Sequence, residues 1–324
     1  MSRQLATLVK KCAIESAWLF AACSLALFSY TWIRVWLVSK LEMTAFATII
    51  EQVWDRYEKF SPIPLEQLLT YSGRIAVTFD EPIILFCLTV WAVARGSDAV
   101  SGELGRGTLE MMLGHPVTRL QTLIAQSSVN IVGAGLLSLV VWSGIWVGVA
   151  TTQAKRSVKP TIAVPGTPLA IPKYWADDET VVEPMSDYVD PLEFAPGVLN
   201  LFSLTVFFAA LTSLISALDR YRWRTVGVAC SIYVVQATMM FVAMAAPEWG
   251  WLKRLTIFGA YEPQVHVATA MRNPDSLWSI VRIGEDGAWA GCGATGAAIL
   301  LLVLAGTCWT AAAIVYRRRD LPAP

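Results

Sequence analysis

The side chains best placed for a specific task lie in one short polar stretch, SGELGRGTLEMMLGHPVTR, residues 101–119. Its spacing favours binding over catalysis. Thr108 can cap a short helix, LEMMLG, with Leu109, Met112 and Leu113 on one side. Gly114 permits a left-handed exit and Pro116 stops the helix. The pattern indicates a short amphipathic helix that docks onto a partner. The alternative is that residues 101–119 form an ordinary surface loop.

Motifs of the familiar catalytic classes are missing from the sequence. It has no Gly-Lys dipeptide and therefore no phosphate-binding loop for ATP. It also has no His-Glu-x-x-His, Gly-x-Ser-x-Gly or Gly-x-Gly-Asp motif. The two histidines, His115 and His266, fall in different segments, and a catalytic zinc ion normally takes three protein ligands. We therefore expect no catalytic, cofactor or metal site in this chain.

The composition predicts a protein that spans a membrane several times. The chain has 324 residues, of which 55% are hydrophobic and 15% charged, whereas soluble domains average about 25% charged residues. The apolar residues form runs long enough for helices of about 20 residues. The net charge of +0 gives no basic surface for nucleic acid, so we expect no nucleic-acid partner. We expect the lipid bilayer around the spans to be a partner of this chain.

The runs predict an all-α protein with a single transmembrane domain of six helices. Each span must be helical because lipid offers no hydrogen bonds to the backbone. An interfacial helix at 1–16 is expected before the first span. The predicted spans are 17–38, 82–99, 123–150, 198–218, 225–246 and 289–316.

Basic residues near the span ends predict that both termini are cytoplasmic. This orientation places the segment 100–120 in the cytoplasm and the long loops 40–81, 151–196 and 247–287 outside. Loop 151–196 is rich in proline, which favours extended or turn structure. We expect a multi-pass protein of the inner or plasma membrane. The cytoplasmic basic residues are Arg3, Lys10, Lys11, Arg95, Arg106, Arg119, Arg220, Arg222, Arg224 and Arg317–Arg319.

The polar stretch resembles the cytoplasmic signature of ABC-2-type transporter permeases, which commonly reads close to E…GTLE-LLL-x-PV-[ST]-R. The order of the residues and their position between the second and third spans both agree. A weaker similarity is YEP at Tyr261–Pro263, where relatives often carry a Tyr-Asp-Pro-like turn. The matching residues are Glu103, Gly107, Thr108, Leu109, Glu110, Met111, Met112, Leu113, Pro116, Val117, Thr118 and Arg119.

The resemblance implies that the stretch, including Arg106 and His115, is a coupling helix that docks onto an ABC ATP-binding subunit. ATP and Mg would be bound by that partner. Two permease chains, as a homodimer or heterodimer, would form the working exporter with two ATPase chains. The transported substrate is left open by the sequence. The rival hypothesis is a membrane scaffold of the same fold that recruits a partner without transport.

Three further features allow two interpretations each. The Gly-x-x-x-Gly pair Gly144 and Gly148 serves either packing within the chain or a subunit interface. Arg34, near the end of the first span, either reaches towards lipid headgroups or forms a buried ion pair. Asp80 and Glu81 either begin the second span in water or form a gate contact near the outer mouth.

Overall fold

A computed structural model describes residues 3–40, 50, 52, 54, 58–61, 63–107, 117–158, 161–163, 170–172, 179–283 and 289–318. Six helices in these ranges are long and apolar enough to cross a membrane. The α-helices are α1 Arg3–Lys40, α2 Leu65–Leu68, α3 Tyr71–Ala76, α4 Pro82–Ser97, α5 Glu103–Gly105, α6 Arg119–Thr151, α7 Ala195–Leu218, α8 Arg222–Ala245, α9 Pro263–Arg272 and α10 Ala294–Arg318.

Shorter helical turns and three hairpins complete the chain. The strands are β1 Gln153–Val158, β2 Thr161–Ala163, β3 Ala170–Pro172, β4 Glu179–Pro184, β5 Val281–Ile283 and β6 Trp289–Cys292. They pair antiparallel as β1–β4, β2–β3 and β5–β6. A π-helical turn covers Asp98–Gly102, and 3₁₀ turns cover Glu58–Phe60, Val77–Asp80, Met185–Asp187, Pro191–Phe194, Pro247–Leu255, Ile257–Gly259 and Pro274–Ser276.

Helix α7 is the centre of the bundle and α8 lies at its edge. In the most apolar 18-residue window, 72% of the α7 segment is buried, against 11% for α8. Helix α7 packs against α10, α4 and α6. Because lipid-exposed side chains must be apolar whereas buried ones need only fit, α7 tolerates the hydroxyl residues Ser203, Thr212 and Ser216 in its interior positions.

The start of α1 and the end of α10 lie at the same end of the bundle. Leu8 and Cys12 of α1 pack with Ala125 and Val129 near the start of α6, and Tyr316 of α10 contacts Arg119. The ends of α4 and α7 and the start of α8 lie there too. We call this the signature end, because residues 101–107 and 117–119 belong to it. The opposite end, which carries the hairpins and α9, is the loop end.

The structure changes the first and last predicted elements. A separate helix at 1–16 is replaced by one continuous helix, because residues 3–40 contain no glycine or proline to interrupt it. The last span begins at Ala294 instead of residue 289, because Trp289–Cys292 pairs as a strand with Val281–Ile283.

The second predicted span, 82–99, is α-helical only as far as Ser97 and continues as the π-helical turn. The other bounds shift by a few residues, to Arg119–Thr151, Ala195–Leu218 and Arg222–Ala245. In the proline-rich loop, the described segments are strands and 3₁₀ turns, as its prolines predict. The stretch TAFATIIEQVWDRYEKF in loop 40–81 is also predicted to be partly helical, and most of it lies outside the described residues.

The Gly-x-x-x-Gly pair packs within the chain. A Cβ atom on Gly144 would lie 1.9 Å from Oγ1 of Thr31, and one on Gly148 would lie 2.7 Å from Cβ of Val35. Both contacts are with α1, so these glycines allow α1 and α6 to approach closely. The ion-pair interpretation of Arg34 is also the one observed, since its Nε lies 2.5 Å from Oε1 of Glu81. Glu81 is therefore paired, and does not simply begin the span in water.

Candidate functional site

The polar segment leaves the bundle at a buried cluster of charges around Asp98. This residue lies in the π-helical turn and is 6% exposed. Its Oδ2 is 3.2 Å from Nη1 of Arg95, and its Oδ1 is 3.0 Å from Nη1 of Arg106 and 3.3 Å from Nη1 of Arg222. Three guanidinium groups from two spans and the polar segment thus surround one carboxylate.

Glu103, the first residue of α5, is a second buried carboxylate beside the first. It is 3% exposed, and its Oε1 lies 3.4 Å from Nζ of Lys11 and 3.3 Å from Nη2 of Arg106. Burial lowers the pKa of Arg106, but the carboxylates of Asp98 and Glu103 outweigh it and raise that pKa overall. Arg106 therefore stays charged and bridges the two acids. We call Lys11, Arg95, Asp98, Glu103, Arg106 and Arg222 the junction cluster.

Hydroxyl groups hold the π-helical turn in place. The Ser216 hydroxyl of α7 accepts hydrogen bonds from the backbone N–H groups of Val100 and Ser101, at 3.1 and 2.9 Å. It donates to the carbonyl of Ser97 at 3.0 Å. Ser101 Oγ also lies 3.1 Å from Oγ1 of Thr225 in α8. Since a π-turn leaves backbone groups without the usual α-helical partners, these hydroxyls stabilise the local geometry.

A left-handed glycine follows the junction cluster, at the last described residue before the gap. Gly107 has φ +70°, and its N–H donates to the carbonyl of Leu104 at 3.1 Å. This backbone conformation is costly for any residue with a Cβ atom. The next nine residues, 108–116, lie outside the described residues, and with them Thr108, Leu109, Glu110, Met111, Met112, Leu113, His115 and Pro116.

The segment rejoins the bundle at Val117–Arg119. Thr118 caps α6: its Oγ1 accepts from the N–H of Gln121 at 3.3 Å, and Gln121 Oε1 accepts from the N–H of Thr118 at 2.9 Å. Val117 packs against the buried cluster in which Leu8 and Cys12 of α1 meet Ala125 and Val129 of α6. Arg119 donates to the carbonyl of Tyr316 at 3.2 Å, near the end of α10. The start of α6 is therefore fixed to α1 and α10.

The structure thus brings together five of the predicted site residues, at the two ends of the segment: Glu103, Arg106 and Gly107 at one end, Val117 and Arg119 at the other. The sequence interpretation missed the partners that anchor them. Arg95 and Arg222 entered it only as basic residues near span ends, and Asp98 was given no role. The i, i+3 spacings of Arg95 with Asp98 and of Glu103 with Arg106 were the local signals for pairs in this cluster.

A second charged cluster lies at the loop end, around the YEP turn. Glu262 is the residue before α9; its Oε1 is 2.5 Å from Nζ of Lys253 and its Oε2 is 3.1 Å from Nη1 of Arg282. Burial favours the neutral acid, but Lys253 and Arg282 outweigh it and lower the pKa of Glu262. Tyr261 is buried and donates to the carbonyl of Phe79 at 2.7 Å. Asp80 is tied to the same turn, since it accepts from Nε2 of Gln264 at 2.5 Å.

The comparison with known families gives one match. The model of the ABC-2 family transporter proteins matches residues 35–321, most of the chain. The chain belongs to the ABC-2 transporter family. No curated protein matches it. Six membrane-spanning helices, with the polar segment between the second and third, are the architecture expected of an ABC-2 permease. As an ABC-2 permease, the chain is a membrane transport component and is not itself catalytic.

Within this ABC-2 protein the described residues contain no group of His, Cys, Asp and Glu side chains that could hold a metal ion. The six cysteines are free thiols, of which Cys230 is exposed. The two charged clusters are therefore the chemically distinctive features of the described part of the chain.

Proposed function

We propose that this chain is the membrane-spanning subunit of an ATP-driven exporter, in which a separate ABC subunit binds ATP and Mg and hydrolyses the ATP. The single observation that carries the proposal is the double anchoring of the polar segment. One end is bound through Glu103 and Arg106 to the junction cluster, and the other through Val117 and Arg119 to α1 and α10.

This anchoring supports a mechanical role for the segment. A partner that moves residues 108–116 pulls on Arg106 and Glu103, and through Asp98 on Arg95 of α4 and Arg222 of α8. The same movement pulls on Arg119 and therefore on α6 and α10. Ion pairs and hydrogen bonds between rigid helices can carry such coupling when the helices have two arrangements. ATP-driven approach of two ATPase subunits would supply the movement.

The orientation is part of the proposal. Basic residues of the signature end include Lys10, Lys11, Arg220 and Arg224, with Arg317 and Arg318 at the end of α10. Positive residues beside short connections favour the cytoplasmic side. We therefore place the signature end in the cytoplasm, where ATP is available, and the chain in the inner or plasma membrane.

Helix α8 is the surface on which we place a second permease chain. It is the least buried of the six spans, and its exposed side chains include Val228, Val234 and Phe241. A wide apolar groove of about 1080 Å³ separates α8 from α4. A second copy, or a related chain, packed near this groove would leave a pathway between two permeases.

The first experiment tests the docking segment. Co-expression with candidate ABC ATPase subunits and purification in mild detergent would measure co-purification and ATPase activity. Glu110→Arg should abolish co-purification, because it reverses a charge in the docking helix. Arg119 is unsuitable for this test, since it also binds the carbonyl of Tyr316.

Lys10→Glu is the matched control, because Lys10 is exposed at the same end and lies outside the signature. It should leave assembly intact. If no ATPase subunit binds the wild-type chain, or if both variants bind one equally well, the coupling role is wrong. The scaffold hypothesis would then be favoured.

The second experiment tests the paired permeases. Oxidative or bismaleimide cross-linking at the native, exposed Cys230 should give a covalent dimer in membranes. Cys230→Ser should abolish that band, whereas Cys12→Ser should not, because Cys12 is buried against α6. A band that survives Cys230→Ser would contradict an interface through α8.

A further inference from the structure

A cavity that has no part in the proposed coupling lies beside the YEP turn, Tyr261–Pro263. Its volume is about 390 Å³, and it lies among the 3₁₀ turn Pro247–Leu255, the start of α9, the β5–β6 hairpin and the first turns of α10. Its walls combine two kinds of residue. The charged or polar ones include Lys253, Arg254, Glu262, His266 and Arg282, and the apolar ones include Trp289, Ala297 and Leu300.

The described lining residues carry more positive than negative charge. Lys253, Arg254 and Arg282 are cationic, and Glu262 is the one carboxylate among them. Glu262 contacts both Lys253 and Arg282. Among the ion pairs of the described residues none involves Arg254, which is exposed at the cavity. Among the described lining residues, three cations around one acid leave capacity for a further anion, which guanidinium and ammonium groups bind through charge-assisted hydrogen bonds.

His266 is an independent sign of a ligand. It lines the cavity, is 4% exposed, and its Nε2 has no hydrogen-bond partner among the described residues. Burying a polar group without a partner is unfavourable, so such groups are rare in folded proteins. An imidazole nitrogen that carries a proton can donate to an oxygen atom of a bound anion. A ligand oxygen would therefore satisfy the unpaired nitrogen beside three cations.

The apolar side of the cavity indicates what the anion is attached to. Trp289 is 67% exposed and Leu300, within the last span, is 44% exposed. Exposed tryptophans are typical of the membrane–water interface, where their rings lie at headgroup level. The cavity therefore joins a cationic pocket to a lipid-facing helix surface. A molecule with an anionic head and an apolar tail matches both parts.

We propose that this cavity binds the phosphate group of an anionic amphiphile, with Lys253, Arg254, Arg282 and His266 around the head and the tail along α10. The source is either a bilayer lipid or a transported amphiphile of the same chemistry. The site does not depend on the ATPase partner, so it goes beyond the function proposed above and can be tested on the chain alone.

The test uses the full chain, purified in mild detergent, and titrates it with short-chain phosphatidylglycerol, short-chain phosphatidylcholine and inorganic phosphate. Retention of lipid is measured by native mass spectrometry and the shift in Tm by thermal unfolding. Phosphatidylglycerol should bind more tightly than phosphatidylcholine and raise Tm. Inorganic phosphate should bind weakly, because it lacks the tail.

Arg254→Gln should weaken phosphatidylglycerol binding by about tenfold, since a charge-assisted hydrogen bond is lost. Its side chain is exposed, so the fold should be unaffected. His266→Leu should weaken binding as well. Arg272→Gln is the matched control, an exposed arginine at the same end that does not line the cavity.

Three results would overturn the proposal: equal binding of the two lipids, unchanged binding by Arg254→Gln and His266→Leu, or binding of inorganic phosphate as tight as that of the lipid. A transported source is distinguished from a bilayer lipid in the reconstituted transporter. Short-chain phosphatidylglycerol would then move across vesicles in an ATP-dependent manner, whereas a bilayer lipid would only remain bound.

Discussion

The two ends of the bundle both bury carboxylates among cations, but they connect different parts of the chain. At the signature end, Asp98 and Glu103 are contacted by Lys11 of α1, Arg95 of α4 and Arg222 of α8. At the loop end, Glu262 is contacted by Lys253 of a 3₁₀ turn and Arg282 of a short hairpin. The first cluster joins long helices, whereas the second joins connecting segments.

This difference matches the two roles that we propose. Long helices joined by a shared carboxylate move together, so the junction cluster is suited to transmit movement. Short turns and hairpins can rearrange around a ligand at less cost, because fewer contacts must change. The loop-end cluster, which borders a cavity, is therefore suited to binding. The comparison predicts that removal of a carboxylate is more damaging at the signature end.

The largest effect should come from Asp98→Asn. Asp98 and Arg95 are both nearly buried, with side-chain exposures of 9% and 4%. Removing one partner of a buried ion pair leaves an uncompensated charge and costs about 3–5 kcal/mol. We expect a loss at the low end of this range, because Arg106 and Arg222 are more exposed and can reach solvent. Thermal or denaturant unfolding in detergent would measure the loss.

Asp219→Asn is the control for that prediction. Asp219 pairs with Arg224, whose side chain is 55% exposed, so the loss should be below about 1 kcal/mol. If the two substitutions destabilise the chain equally, the junction cluster is not a special structural element.

The sequence predicted the fold better than it predicted the site. Six apolar runs are a strong signal, because each must exceed the thickness of the bilayer, and all six are confirmed as helices. The polar stretch 101–119 is also a local signal, because its nineteen residues are adjacent in the sequence. The strand at Trp289–Cys292 was missed because its apolar residues simply continue the run of α10, and only pairing with Val281–Ile283 distinguishes it.

The two charged clusters could not be predicted from local sequence patterns. Arg222 is separated from Asp98 by more than a hundred residues, and Lys11 is separated from Glu103 by 92. No periodicity or spacing specifies which helices become neighbours, so these pairs emerge only from packing. Glu262 illustrates the same limit: in the sequence it was a departure from a Tyr-Asp-Pro-like turn, and in the structure it pairs with two cations.

The second prediction concerns acid sensitivity at the loop end. Burial lowers the pKa of His266 to about 4, from 6.5. The unfolded chain therefore gains a proton near pH 6.5, before the folded chain does, and stability falls as the pH falls from 6.5 towards 4. From pH 7.5 to 5, this histidine alone should contribute a loss of about 2 kcal/mol to the free energy of unfolding, taken as the difference between the wild-type chain and His266→Gln. Unfolding measured across this range would show it.

His266→Gln should remove most of this slope, whereas His115→Gln should leave it in place. The lowered pKa of Glu262 acts in a different window, because its stabilising effect is present above pH 4.5 and disappears only at lower pH. If the free energy of unfolding changes by the same amount between pH 7.5 and 5 in the wild-type chain and in His266→Gln, this histidine is not buried in the neutral form.

The smallest expected effect is the difference in unfolding free energy between Gly107→Ala and Gly105→Ala, at two glycines of the signature end. Gly107 has φ +70°, so Gly107→Ala should cost about 1–2 kcal/mol of backbone strain. Gly105 lies in α5, and a Cβ atom there would meet no heavy atom within 4 Å among the described residues. Gly105→Ala should therefore be neutral or stabilise the chain by about 0.5–1 kcal/mol. A loss for Gly107→Ala without a loss for Gly105→Ala would establish that the chain turns at Gly107. If both substitutions destabilise the chain alike, the turn lies elsewhere and the route from the docking segment to Asp98 is different.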